Sequence, residues 1–125
     1  MTRTKTSAPR AKQLELRVSI DQGVMEILAE RERQVIEKGF TPTHDDEHTG
    51  GELVSAAMAY LDVVHYSNEY GPLKTSEYRD KHVPYEWPFA KKRWNPSDPI
   101  RDLIRAGALI AAEIDRLLRV KAKRG

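Results

Sequence analysis

Asp98-Pro99 and the residues that follow, Ile100, Leu103, Ile104, Gly107, Ile110, Ala111, Ile114, Leu117 and Leu118, constrain this chain most. Apolar residues recurring every three or four positions share one face of an α-helix but would scatter over both faces of a strand. Asp98 is placed as N-cap, and Pro99 suits the first helical position, where no N–H is needed. Gly107 within the stripe predicts a close helix crossing. A second stripe, Leu53, Ala56, Ala57, Tyr60, Leu61 and Val64, steps by the same intervals. Its two alanines allow a neighbouring helix to approach closely. Thr49-Gly50-Gly51-Glu52 ahead of it has the T-x-x-E form of a capping box. The two stripes predict a mainly α fold with a helical-hairpin core.

A third helix is expected earlier, with Ile20, Val24, Ile27, Leu28, Arg31 and Val35 on one face. Ser19 and Gln22 would form a capping box at its start, and Gly39 would end it as the residue just past the C-cap. Upstream, Leu14, Leu16, Val18 and Ile20 alternate with polar residues at the strand period, in a run short enough to lead into the helix instead. Residues 67–97 show no helical period. They carry Pro72, Pro84, Pro88 and Pro96, with Tyr70, Tyr78, Tyr85, Trp87, Phe89 and Trp94. An irregular connection of about 30 residues is either functional or disordered. So many aromatic rings argue against disorder. The expected architecture is three principal helices with a long aromatic- and Pro-rich connection packed over them.

A chain of 125 residues suits one domain with one modest core. The reading divides it into a disordered basic tail (1–13), a single helical domain (14–118) and a basic C-terminal tail (119–125). No apolar run approaches the ~20 residues of a membrane span, and the N-terminus lacks a signal-peptide stretch. With no cysteine there is no disulfide and no thiolate metal site. The net charge is +2; the two ends carry eight lysines and arginines and no acid, which leaves −6 for the body. An acidic body argues against a duplex-specific nucleic-acid surface. The basic ends are solubilising in the plainer account, or touch an acidic partner weakly.

Chemistry concentrates between the first two helices. From His44 to Glu52 lie two of the four histidines and four carboxylates, in what reads as a loop opening a helix. His44, His48 and Glu52 are spaced by four, and imidazole plus carboxylate suits a divalent metal such as Zn, Mn or Fe. Pro42 and Gly50-Gly51 oppose a continuous helix, so only a folded loop would gather them. In the plainer account, Glu52 belongs to the capping box and Asp45 and Asp46 to turn chemistry.

The same segment reads as a ligand site without metal. Gly50-Gly51 allows a ligand near the backbone, and the N–H groups opening the second helix favour anions. His44, Asp45, Asp46, His48 and Glu52 would form a polar wall, with the carboxylates gripping ribose hydroxyls. Trp87 and Trp94 would form a stacking wall for a base. Arg31, Arg33, Arg101 and Arg105 are candidate phosphate contacts. Arg31 falls on the apolar face of its helix, where a charge needs a partner; an internal ion pair with Asp45, Asp46 or Asp102 is the slightly preferred account of it. Glu52, Asp62 and His65 could do general acid–base work. Glu52 and Asp62 stand about 15 Å apart along one helix and cannot share an ion.

Two blocks carry a resemblance. The first is Glu30-Arg31-Glu32-Arg33-Gln34, then 39–48 (G-F-T-P-T-H-D-D-E-H), then Gly51-Glu52-Leu53 with Ala56-Ala57 and Tyr60. The second is Trp87-Pro88-Phe89, Trp94-Asn95-Pro96 and 101–110 (R-D-L-I-R-A-G-A-L-I). Over residues 24–118 the chain resembles a family of small phage and prophage proteins, with Phe40 and Phe89 in place of tryptophan. The resemblance implies action in the cytoplasm of an infected bacterium and names no reaction. Residues 29–53 are also similar to ryanodine-receptor-type repeat domains, which implies nucleotide recognition. The all-α NTP pyrophosphohydrolases hold Mg²⁺ with E-x-x-E and E-x-x-D pairs. Here Ser55 follows Glu52 at +3 and Arg116 follows Glu113 at +3, so neither pair is present.

Three functions follow as expectations. The first is a phage-encoded cytoplasmic protein that binds a nucleotide or nucleotide-derived signal and counteracts host defence. The second is a metal-dependent nucleotide (pyro)phosphohydrolase using Mn, Mg or Zn at the same cluster. The third is an inhibitor that binds a host defence protein through the acidic body. A homo-oligomer is expected in each case, because three helices alone bury little area.

Overall fold

The computed structural model describes residues 10–70 and 83–125; within 14–20 and 68–70 it describes the backbone alone. Among the described residues there are four α-helices: α1 (Arg10–Lys38), α2 (Pro42–Asp46), α3 (Glu52–Tyr70) and α4 (Pro99–Arg124). A 3-10 turn, Lys91–Arg93, interrupts the connection before α4, and no strand occurs among the described residues. The chain is therefore mainly α, as its periodicity predicts.

The strand-period run belongs to α1, which passes unbroken through residues 14–20. Leu14 and Val18, like Leu16 and Ile20, are also i, i+4 pairs, and extending an existing helix costs far less than nucleating one. Positions 19 and 22 consequently lie inside the helix rather than at its start. The basic end segments are helical where they are described: Arg10–Gln13 open α1, while residues 1–9 lie outside the described set. α4 continues through the basic end to Arg124.

The helix ends follow local chemistry. Gly39 takes φ +73°, the left-handed region that ends α1, and the Phe40 N–H donates to the Gln34 carbonyl at 2.9 Å. The expected loop at 42–46 is a single helical turn. Pro42 opens it, and the Thr41 hydroxyl accepts from the His44 N–H at 3.3 Å. The predicted box at Thr49 does not form. Gly51 adopts φ +87°, so α3 starts only at Glu52, whose Oε1 accepts from the Gly50 N–H at 2.7 Å. Asp98 caps α4 as predicted, accepting from the Arg101 N–H at 2.9 Å.

α4 is the central element and touches α1, α2 and α3. α3 packs along it through Leu53, Ala56, Ala57 and Tyr60 against Ala106, Leu109 and Ala112. The two helices run in opposite directions: the Arg105 guanidinium lies 5.8 Å from the Tyr60 ring centre, whereas Arg116 feels the charge of Glu52 at the start of α3. α1 crosses α4 where Gly107 leaves room for Ile27, the close crossing expected of that glycine. Trp87, Phe89 and Trp94 pack against the α3–α4 seam. The connection thus covers the helices where it is described. It is shorter than predicted, because α3 runs to Tyr70, and residues 71–82, with Pro72 and Tyr78, lie outside the described residues. Tyr85 is fully exposed.

The predicted core face of α4 is corrected. Ile100, Leu103, Ile110, Ile114, Leu117 and Leu118 are exposed, and the buried face is Asp102, Ala106, Ala108, Leu109, Ala112 and Arg116. Small side chains permit the α3 seam, and arginine pairing makes the two charged positions tolerable there. α1 behaves likewise: Val24 and Leu28 are exposed, and Glu30 and Gln34 are buried.

Candidate ligand cavity

A cavity of about 720 Å³ opens between α1, α2, α3, the 83–98 connection and α4. That volume lies within the range that holds small molecules. One wall is aromatic. Phe40 stacks on His44 with ring centres 4.9 Å apart, His44 meets His48 edge to face at 4.8 Å, and His48 meets Phe89 at 5.5 Å. The series continues through Trp87, 5.4 Å from Phe89, to Tyr60 at 5.7 Å. A second part of its lining is cationic, with Arg33, Lys38, Lys92, Arg93, Arg101 and Arg105, the last lying over the Tyr60 ring itself.

Ion pairs hold this second wall. Glu30, 2% exposed, accepts both the Nε and the Nη2 of Arg33 at 2.8 Å and also pairs with Arg101. Burial alone would push the Glu30 carboxyl up. The Arg33 hydrogen bond and the charge of Arg101 outweigh it and hold the group below its ordinary value. Asp102, fully buried, accepts Arg105 Nη1 at 2.8 Å and the Ser97 N–H at 3.1 and 3.2 Å. The same Arg105 nitrogen reaches Ser97 Oγ at 2.8 Å and the Asn95 carbonyl at 3.0 Å. The connection is thereby tied to α4 and the guanidinium is aimed before any ligand arrives. Burial raises the Tyr60 phenol, partly offset by the charge of Arg105.

Of the residues singled out from sequence, His44, Asp45, His48 and Trp87 line the cavity. Four others stand beside it. Arg31 donates to Asp45 Oδ2 at 2.7 Å and to the Phe40 carbonyl at 3.3 Å, the internal ion pair considered for it. Asp46 turns toward the end of α4, where Arg119 Nη2 reaches Oδ1 at 2.7 Å and holds its carboxyl below the ordinary range. Glu52 is occupied at the start of α3, its carboxyl lowered first by its own backbone N–H and then by that of Gly50. Trp94 packs behind Trp87, ring centres 5.0 Å apart.

The polar wall is accordingly not the acidic segment. Asp45 is 1% exposed and bound to arginine, and Asp46 and Glu52 point elsewhere. His48 Nδ1 stands 3.7 Å from Glu52 Oε2, yet His44, His48 and Glu52 do not converge as a metal-holding group among the described residues. Two imidazole nitrogens, His44 Nδ1 and His48 Nε2, are buried with no hydrogen-bond partner. His44 Nδ1 stands 3.7 Å from Asp45 Oδ1, beyond hydrogen-bond length.

Arg33, Arg101 and Arg105, named from sequence as candidate phosphate contacts, line the cavity; Lys38, Lys92, Arg93 and Glu30, which also line it, were not singled out. The run Lys91-Lys92-Arg93, set between Phe89 and Trp94, was the available signal: basic residues interleaved with aromatics suit anionic ring ligands. The chain matches no protein-family model, and no curated protein and no solved structure is significantly similar to it.

Proposed function

We propose that this protein binds a nucleotide or a nucleotide-derived signal. The observation that carries the reading is one cavity lined both by a series of aromatic rings and by guanidinium and ammonium groups. A base has a π-face for Trp87 and Phe89, and a phosphate accepts paired N–H groups from arginine. The imidazoles of His44 and His48, which line the cavity, add ring surface to the same series. Both carboxylates of the cavity, Glu30 and Asp45, are already bound by arginine, which favours binding over metal-dependent hydrolysis. The resemblance to phage proteins gives the reading a setting, the sequestering of a defence signal in an infected bacterium.

Both tryptophans of the chain belong to the ring cluster, so they report on it directly. Adding the bound nucleotide from a mixed pool is expected to quench their emission. His48→Ala is expected to keep the helical circular-dichroism signal and lose ligand by at least tenfold, about 1.4 kcal/mol. Unchanged binding by that variant would remove the site from the proposal.

A further inference from the structure

We infer that the ligand carries at least two phosphates and is held without a bridging divalent cation. The inference rests on the nucleotide reading above and adds the charge class of the ligand. It follows from the charge balance of the cationic wall. Glu30 offsets one of the two guanidiniums it binds, Arg33 and Arg101, so that group keeps one positive charge. Arg105 is offset by Asp102, and Asp45 by Arg31. Lys38, Lys92 and Arg93 line the cavity and make no ion pair with a carboxylate among the described residues. One charge from the Glu30 group and three from these side chains give the lining residues +4, and Glu37, whose charge acts on Arg33 from outside the lining, lowers the sum to about +3.

A single phosphate carries about −2 and would leave part of that charge unmatched. A nucleoside diphosphate or triphosphate carries about −3 or −4 and matches it. Lys38, Lys92 and Arg93 are solvent-exposed, so water and salt screen part of their repulsion, and a polyanion removes the rest as it binds. A divalent cation has no such role. It would add two positive charges to the wall, and the carboxylates that could coordinate it, Glu30 and Asp45, are buried against arginine. In the sites that hold Mg²⁺-nucleotides, by contrast, carboxylates of the protein share the ion with the phosphates.

The test is calorimetric titration of the full chain with adenosine, AMP, ADP, ATP and inorganic tripolyphosphate, in EDTA and again with excess Mg²⁺. Affinity is expected to rise about tenfold with each phosphate added. Mg²⁺ is expected to weaken ATP binding. Lys92→Ala with Arg93→Ala, both on an exposed turn, should flatten the series without changing the helical signal. Equal affinity for AMP, ADP and ATP, or binding that requires Mg²⁺, overturns the inference and leaves the nucleotide reading standing. Tripolyphosphate binding with no adenine compound bound overturns the nucleotide reading and leaves a polyanion site. No binding of any probe removes both.

Discussion

At the scale of single residues, Gly107 decides whether α1 can meet α4. A Cβ at that position would stand 2.6 Å from Ile27 Cδ1 and 2.8 Å from Ile27 Cγ1, closer than atoms pack. Gly107→Val is expected to destabilise the fold by about 2 kcal/mol, the usual cost of overpacking. Ile27→Ala in the same chain should recover part of that loss. Urea denaturation of the single and double variants measures both, and additivity of the two changes would show that the residues do not meet. The role of Gly107 was legible because a glycine inside an apolar stripe has few other uses. Arg31 was legible to the same depth: a charge on an apolar face needs a counter-ion, and Asp45 was among those named. Glu30 was not legible. Its neighbours in sequence are charged and solvated in most helices, and only the approach of Arg101 from α4, 71 residues away, makes it a buried anchor.

At the scale of elements, α2 is one helical turn held by ion pairs on both sides. Asp45 reaches back to Arg31 on α1, and Asp46 reaches across to Arg119 on α4. The two are unequal. The Asp45 side chain is 2% exposed, whereas Asp46 and Arg119 are each about a third exposed. Asp45→Ala leaves a shielded guanidinium without its counter-ion and is expected to cost about 3 kcal/mol. Arg119→Ala is expected to cost under about 1 kcal/mol, as exposed pairs do. Thermal melts of the two variants settle the order; equal losses would mean that α2 is not anchored through Asp45. The cap at Asp98 could be read in advance because capping involves only four consecutive residues. The face that α4 buries could not. Periodicity states which side chains share a face, and the large apolar stripe looked like the core. The Ala106, Leu109 and Ala112 face won because small side chains allow α3 to come closer, and Asp102 and Arg116 find partners at its edges.

For the molecule as a whole, arginine–carboxylate pairing ties the elements together and sets the response to acid. The Glu30, Asp46, Glu52 and Glu113 carboxyls are all lower in the folded chain than in ordinary peptides. A group whose folded value is depressed stabilises the fold above its unfolded value and loses that contribution as pH falls through the folded one. Stability is therefore expected to hold through neutral pH, to start falling near the ordinary glutamate value of 4.5, and to keep falling below it. Denaturation midpoints measured between pH 7 and pH 3 test this, and a midpoint that rises on acidification would reverse the sign. The pairs sit on every contact of α4 outside the α3 seam: Arg101 with α1, Arg119 with α2, Arg105 with the connection. That arrangement leaves Ile110, Ile114, Leu117 and Leu118 uncovered in the single chain. Contiguous exposed apolar surface of this kind marks association surfaces in soluble proteins.

By itself the sequence determined what depends on neighbours along the chain. That covers the mainly α class, the ends of α1 and α4 at Gly39 and Asp98, and the glycine that allows a crossing. It also covers the pool of arginines and aromatics from which a site could be built. The tertiary structure decided what depends on approach across the fold: which face of α4 is buried, and which carboxylates are spent on ion pairs. It also brought cations, rather than free carboxylates of the 44–52 segment, into the same cavity as the rings. The physical reason is range. Helix periods and caps act over three or four residues, whereas the charge of a cavity is a sum over side chains that meet only when α1, α4 and the connection close around it.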